Sequence, residues 1–191
     1  SPPLPKAGSF TDNTASTTPI AGTSTNTCRI LSSSSGSVTD LSLSGNVTLT
    51  GSGVLTLVNA DRVLGSGILT NINNTIQGET SNSGSLGTNL IGIVNQSLID
   101  ANVSGLSLNV DPSVSDGLVN QGTLRARNGG ILLLTGNGGG AFPNTGATIP
   151  PLPRVAVQLK IPPTTASPHL TPAAPRLLPH LEPDPPHPPT P

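Results

Sequence analysis

LVNQGTLRA, at residues 118–126, is the stretch that decides the fold. Its second half alternates, with Leu124 and Ala126 on one side and polar side chains between them, which is the two-residue period of a β-strand. Its first half recurs as IVNQ at residues 93–96, which lie 25 residues upstream. Because so short a unit cannot bury an apolar face alone, we expect its copies to stack.

An asparagine recurs with nearly the same period. Asn71, Asn95, Asn120 and Asn144 are separated by 24, 25 and 24 residues, which predicts about 24–25 residues per coil. Strands of neighbouring coils should then run parallel, about 4.8 Å apart. We expect the four side chains to form a structural ladder at one bend, each bonded to the next. The alternative is that each asparagine is only a favoured turn residue.

The expected fold is therefore all-β: a single-stranded parallel β-helix, or β-solenoid. Three regions follow from composition. Residues 1–36 are rich in Ser, Thr and Pro and form a leader or a partial first coil. Residues 37–149 carry the solenoid repeats. Residues 150–191 are rich in proline, which lacks the amide donor of a sheet ladder, so we expect a disordered tail.

Composition excludes several classes of partner. Charged residues make up 9% of the chain, the net charge is −1, and Phe10 and Phe142 are the only aromatic residues. Nucleic-acid binding needs clustered basic residues or aromatic platforms, so we expect no nucleic-acid partner. No apolar run reaches the roughly 20 residues of a membrane span. No secretion signal is visible in residues 1–30, so we expect export to depend on sequence outside this chain.

The sequence does not favour catalysis or metal binding. Acidic residues are scattered along the repeats, whereas hydrolytic sites need several to converge. Asp111–Gly117 resembles a calcium loop only loosely and fits an ordinary turn better. His169, His180 and His187 lack partners at zinc-ligand spacing. We therefore expect no enzyme activity, no metal and no cofactor.

Two further pairs of residues are candidates for specific contacts. Asp100 and Arg125 are 25 residues apart. We expect them to face outward as an exposed cross-coil ion pair; a catalytic role is the alternative. Extending the same offset pairs Leu108 with Leu133. If Leu133 points inward, Leu132 and Leu134 face outward, as a contact patch for the tail or another chain.

The quoted segments, together with LTNINNTIQG at residues 69–78, resemble the passenger regions of bacterial autotransporter and filamentous-haemagglutinin-like proteins. They are also similar to Gly/Asn/Thr-rich surface repeat proteins of bacteria. The resemblance covers roughly residues 40–149. It implies a right-handed β-helix, export, and placement as a secreted or cell-surface protein.

The expected function is a non-catalytic structural or adhesive fragment of a bacterial surface protein. Its partners would be a host or neighbouring-cell surface, matrix polysaccharide, or another copy of the chain. Two alternatives remain open: a fragment of a polysaccharide-active β-helix enzyme, and a solenoid that binds ice or another crystalline surface. The last requires aligned Thr-x-Thr motifs on successive coils, and only Thr48-Leu49-Thr50 is clear.

Overall fold

The computed structural model of the chain describes residues 10–12, 15–32, 37–59, 61–79, 84–136, 142–144 and 156–160. Within these ranges the chain forms sixteen strands and no helix. The strands are β1 (Phe10–Asp12), β2 (Thr17–Thr25), β3 (Arg29–Ser32), β4 (Asp40–Thr50), β5 (Val54–Val58), β6 (Arg62–Ser66), β7 (Ile68–Asn71), β8 (Thr75–Glu79), β9 (Gly84–Leu86), β10 (Gly92–Asn95), β11 (Leu98–Ala101), β12 (Ser107–Val110), β13 (Leu118–Asn120), β14 (Thr123–Ala126), β15 (Ile131–Thr135) and β16 (Ala156–Lys160).

The strands form two parallel sheets, which confirms the predicted β-solenoid. Sheet A has six strands in the order β1-β3-β5-β8-β11-β14. Sheet B has ten strands in the order β13-β10-β7-β4-β6-β9-β12-β15-β16, and β2 also pairs with β4. After β5, each coil adds one strand to sheet A and two to sheet B, as β8 is followed by β9 and β10.

The core is a stack of aliphatic layers. Leu69, Ile93 and Leu118 are register partners in sheet B and are at most 1% exposed. Leu124 and Ala126 alternate inward from sheet A, as their spacing predicts. Burying a leucine or isoleucine contributes roughly 1.5–3 kcal/mol, so each coil is stabilised mainly by its neighbours.

Coil length varies more than the sequence predicts. It is 21 residues between the partners Val54 and Thr75, and 25 between Leu98 and Thr123. The variation lies at the corners. β4 runs unbroken along sheet B, whereas later coils interrupt the same path with the loops 87–91 and 111–117.

One change in corner length overturns the predicted contact patch at Leu132 and Leu134. The offset is 25 residues at Ala101 and Ala126, but 24 at Leu108 and Leu132. A one-residue shift of register exchanges the two faces of a strand. Leu132 is therefore fully buried and Leu134 is 5% exposed. The large apolar side chains that are exposed within the described ranges are instead Val38, Leu90 and Val114.

The solenoid also extends beyond the predicted boundaries of 37–149. β2 and β3 lie within residues 1–36, for which the sequence predicts a leader or a partial first coil, and they pair with β4 and β5. β16 lies in the region expected to be disordered, and it pairs in parallel with β15. The rest of the Pro-rich tail, with its three histidines, lies outside the described residues.

Candidate functional site

The four predicted asparagines lie at one corner of the solenoid and form a continuous ladder. Asn71 Nδ2 donates to Asn95 Oδ1 at 3.0 Å, and Asn95 Nδ2 donates to Asn120 Oδ1 at 2.8 Å. Asn120 Nδ2 donates to Asn144 Oδ1 at 2.6 Å. Asn71, Asn95 and Asn120 are at most 1% exposed, whereas Asn144 is exposed. Each buried side-chain amide thus donates a hydrogen bond to the asparagine of the next coil.

The ladder continues toward the amino terminus through residues that the spacing does not reveal. Leu49 takes the ladder position on the preceding coil, as the partner of Asn71. Asn71 Oδ1 instead accepts a hydrogen bond from the Asn74 backbone N–H at 3.0 Å. Asn74 Oδ1 in turn accepts from Asn26 Nδ2 at 2.9 Å. The available signal was the doublet Asn73-Asn74 just after a ladder residue, since a second asparagine there can serve the same corner.

Asp100 and Arg125 are cross-coil partners, but the pair is not the exposed one predicted. Arg125 donates to both Asp100 carboxylate oxygens, at 3.1 and 2.8 Å, and Arg127 adds a third bond at 2.8 Å. Asp100 is only 1% exposed, because the two arginines cover it. The hydrogen bond from Arg125 to Asp100 raises the pKa of the guanidinium, against the opposing effect of desolvation.

A second ion pair, which joins Arg62 and Asp40, was not predicted from the sequence. Arg62 donates to both oxygens of Asp40 at 2.7 Å, and these bonds raise the pKa of Arg62. The two residues are register partners 22 apart, so the period of 24–25 could not pair them. The nearby carboxylate of Asp61 is fully buried and accepts the Thr39 and Val58 backbone N–H groups at 3.0 and 3.2 Å.

Replacing Asp100 with asparagine should lower the free energy of unfolding by about 1–3 kcal/mol, because the buried group loses three charge-assisted bonds. Asp40→Asn is the matched control. It should change stability by about 0–1 kcal/mol, because Asp40 is 16% exposed and water can reach it, whereas Asp100 is 1% exposed. Urea denaturation measures both. Equal losses would contradict the special role of the covered carboxylate.

The outward side chains of β2, β4, β7, β10 and β13 share one face of sheet B, which we call the ribbon face. One column along it is made of β-branched side chains in register: Thr23, Thr48, Thr70, Val94 and Val119. In the adjacent column, Thr50 Oγ1 donates to Thr25 Oγ1 at 3.3 Å. Gln96 Nε2 donates to Gln121 Oε1 at 3.0 Å farther along. The named side chains repeat about every 4.8 Å between coils and about 6.6 Å along a strand.

The Asp111–Gly117 segment is the turn that the sequence favours. Asp116 Oδ2 accepts from Ser115 Oγ at 2.6 Å and from Ser113 Oγ at 2.8 Å. These hydroxyl bonds, first that of Ser115, lower the pKa of the Asp116 carboxyl. Among the described residues, no three His, Cys, Asp or Glu side chains group as metal ligands do.

No protein-family model, no characterised protein and no solved structure matches this chain. Over the ranges that the structure covers, no helix has the length and apolarity needed to cross a bilayer.

Proposed function

We propose that the chain is a non-catalytic, structural and adhesive segment of a secreted or surface-attached bacterial protein. The observation that carries this proposal is the ribbon face, where Thr23, Thr48 and Thr70 continue into Val94 and Val119 without a charge or a break. Such a surface is stiff and periodic, because every side chain is fixed by the strand beneath it. It suits contact with an extended surface better than capture of a small molecule, which uses a concave site.

Three of the described carboxylates support a role without turnover, because they are bound by groups of the chain itself. Asp40 and Asp100 are bound by arginines, and Asp61 is bound by backbone amides. A general acid or base must instead be within reach of a substrate proton. These acids hold coils together, which is a structural task.

The partner we propose is an insoluble matrix polysaccharide. Hydroxyl and amide groups on the ribbon face can exchange hydrogen bonds with sugar hydroxyls, and the methyl groups of threonine and valine pack on the apolar faces of sugar rings. Many weak contacts that repeat along the solenoid together give a higher affinity than any one of them. Once the first contact holds the protein on the polysaccharide, each further contact forms within the same complex.

The test is retention on microcrystalline cellulose, used as the insoluble polysaccharide probe. We expect the protein to be retained, and the triple variant Thr23→Asp, Thr48→Asp, Thr70→Asp to bind at least about tenfold more weakly, about 1.4 kcal/mol. The control variant Thr75→Asp, Thr123→Asp changes outward residues of sheet A and should bind normally. Absence of retention, or equal loss in both variants, would overturn the proposal. Release of soluble sugar would favour the enzyme alternative.

Binding to ice is a second candidate, favoured by one specific observation. Thr23-Ser24-Thr25 lies in register beside Thr48-Leu49-Thr50, so two neighbouring coils carry aligned Thr-x-Thr motifs. Inhibition of ice recrystallisation that the triple aspartate variant loses, without retention on cellulose, would establish this candidate in place of the first.

A further inference from the structure

The peptide bond between Asp111 and Pro112 has an unusual environment. It lies where the chain leaves β12 and enters the loop 111–117. Asp111 is only 6% exposed, and its Oδ1 is buried with no hydrogen-bond partner among the residues that the structure describes. A buried carboxylate oxygen is normally satisfied, and one that is not has lost the solvation that makes a carboxylate unreactive.

The backbone carbonyl of the same residue is held and polarised. Its oxygen accepts the Asn89 N–H at 2.7 Å, while the Asp111 N–H donates to Leu86 O at 2.8 Å. Gly87 packs directly against this carbonyl, where a Cβ would overlap its oxygen. A fixed N–H donor at a carbonyl oxygen stabilises the negative charge that develops there during nucleophilic attack.

We propose that the folded chain cleaves its own Asp111–Pro112 bond. The carboxylate Oδ1 attacks the carbonyl carbon of Asp111, and the new C–O bond closes a five-membered cyclic anhydride. The C–N bond to Pro112 breaks, and the proline nitrogen takes a proton from solvent to become a secondary amine. Water then opens the anhydride and leaves Asp111 with free α- and β-carboxyl groups. The net reaction consumes one water molecule.

Three features of the site favour this step. The nucleophile and the carbonyl belong to one residue, so the attack is intramolecular and carries a high effective concentration. The bond to Pro112 is a tertiary amide. Its nitrogen carries no hydrogen, so it donates no backbone hydrogen bond to the sheet. The Asn89 N–H is already aligned on the oxygen before reaction.

The two products should stay together after cleavage. β12 remains paired with β9 and β15, and β13 remains paired with β10. Cleavage therefore breaks the chain between β12 and β13 and removes no strand from either sheet. It leaves a new amino terminus at Pro112 beside the exposed Val114.

The test is denaturing mass spectrometry of the full chain after incubation in neutral and mildly acidic buffer. We expect two fragments, one ending at Asp111 and one beginning at Pro112, that elute together under native conditions. Asp184-Pro185 is the other such pair in the sequence and serves as an internal comparison. Cleavage at Asp111 should be at least about tenfold faster in the folded chain, and concentrated urea should abolish the preference.

Two variants separate chemistry from folding. Asp111→Asn removes the nucleophile and Pro112→Ala makes the nitrogen a poorer leaving group, so both should slow the reaction while circular dichroism stays unchanged. If folded protein is cut no faster at Asp111 than at Asp184, or if urea accelerates cutting at Asp111, the proposal is overturned. A variant that loses the fold is replaced by Asp111→Glu, whose longer side chain would have to close a larger ring and should also react more slowly.

Discussion

Replacing Asn95 with alanine should lower the free energy of unfolding by about 3–5 kcal/mol. The substitution leaves one hydrogen of Asn71 Nδ2 without an acceptor and Asn120 Oδ1 without its donor, and both side chains are buried. Leaving a buried polar group unsatisfied costs about 1–3 kcal/mol, and here two are left at once. Because a typical domain has only about 5–15 kcal/mol of stability, the loss is a large fraction of the whole.

Gln96→Ala is the matched control for this experiment. Gln96 lies next to Asn95 and makes its own cross-coil bond to Gln121, but it is exposed. Water can replace that bond, so the change should stay within about 0.5 kcal/mol. Urea denaturation monitored by circular dichroism compares the two. Similar effects would mean that the ladder is incidental to stability.

Replacing Gly122 with alanine should destabilise the protein by about 3 kcal/mol, because the added methyl has no room. A Cβ on Gly122 would lie 2.5 Å from the Ser97 amide nitrogen and closer still to its carbonyl oxygen. The contact is backbone, which cannot rotate away. The two coils would have to separate at the corner where Thr123 N donates to Ser97 O at 2.6 Å.

Gly78→Ala tests whether the effect comes from crowding or from loss of glycine itself. A Cβ on Gly78 would meet nothing within 4 Å, and Gly78 lies within β8. Alanine there reduces the freedom of the unfolded chain, so stability should be unchanged or rise by up to about 1 kcal/mol. If both glycine variants lose stability equally, the close approach of the coils at Gly122 is not what matters.

The architecture could be predicted from the sequence because two signals agree over its second half. The alternation of apolar and polar residues around Leu124 predicts β-strands. The spacing from Asn71 to Asn144 predicts the number of residues in a coil. Both signals record local chemistry: which side of a strand is apolar, and which residue serves a corner. They say little about how many residues a corner contains.

That limit explains two of the errors. One residue fewer between Ala126 and Ile131 turned Leu132 inward, and the period of 24–25 could not pair Asp40 with Arg62. Asp100 is covered because Arg127, two residues after Arg125, also reaches it, and no offset rule anticipates a second donor. The sequence does not decide between a leader and a partial first coil over residues 1–36, because β2 and β3 carry few large apolar residues.

The asparagine ladder gives the solenoid a direction. Its three amide-to-amide bonds all donate the same way, from Asn71 toward Asn144, so their dipoles add, whereas the peptide groups across a sheet largely cancel. The end of the row nearer the carboxyl terminus is consequently electropositive and the other end electronegative, although the chain as a whole is almost neutral. Two such solenoids placed end to end would attract head to tail, whereas two lying side by side would favour antiparallel order, because like ends repel.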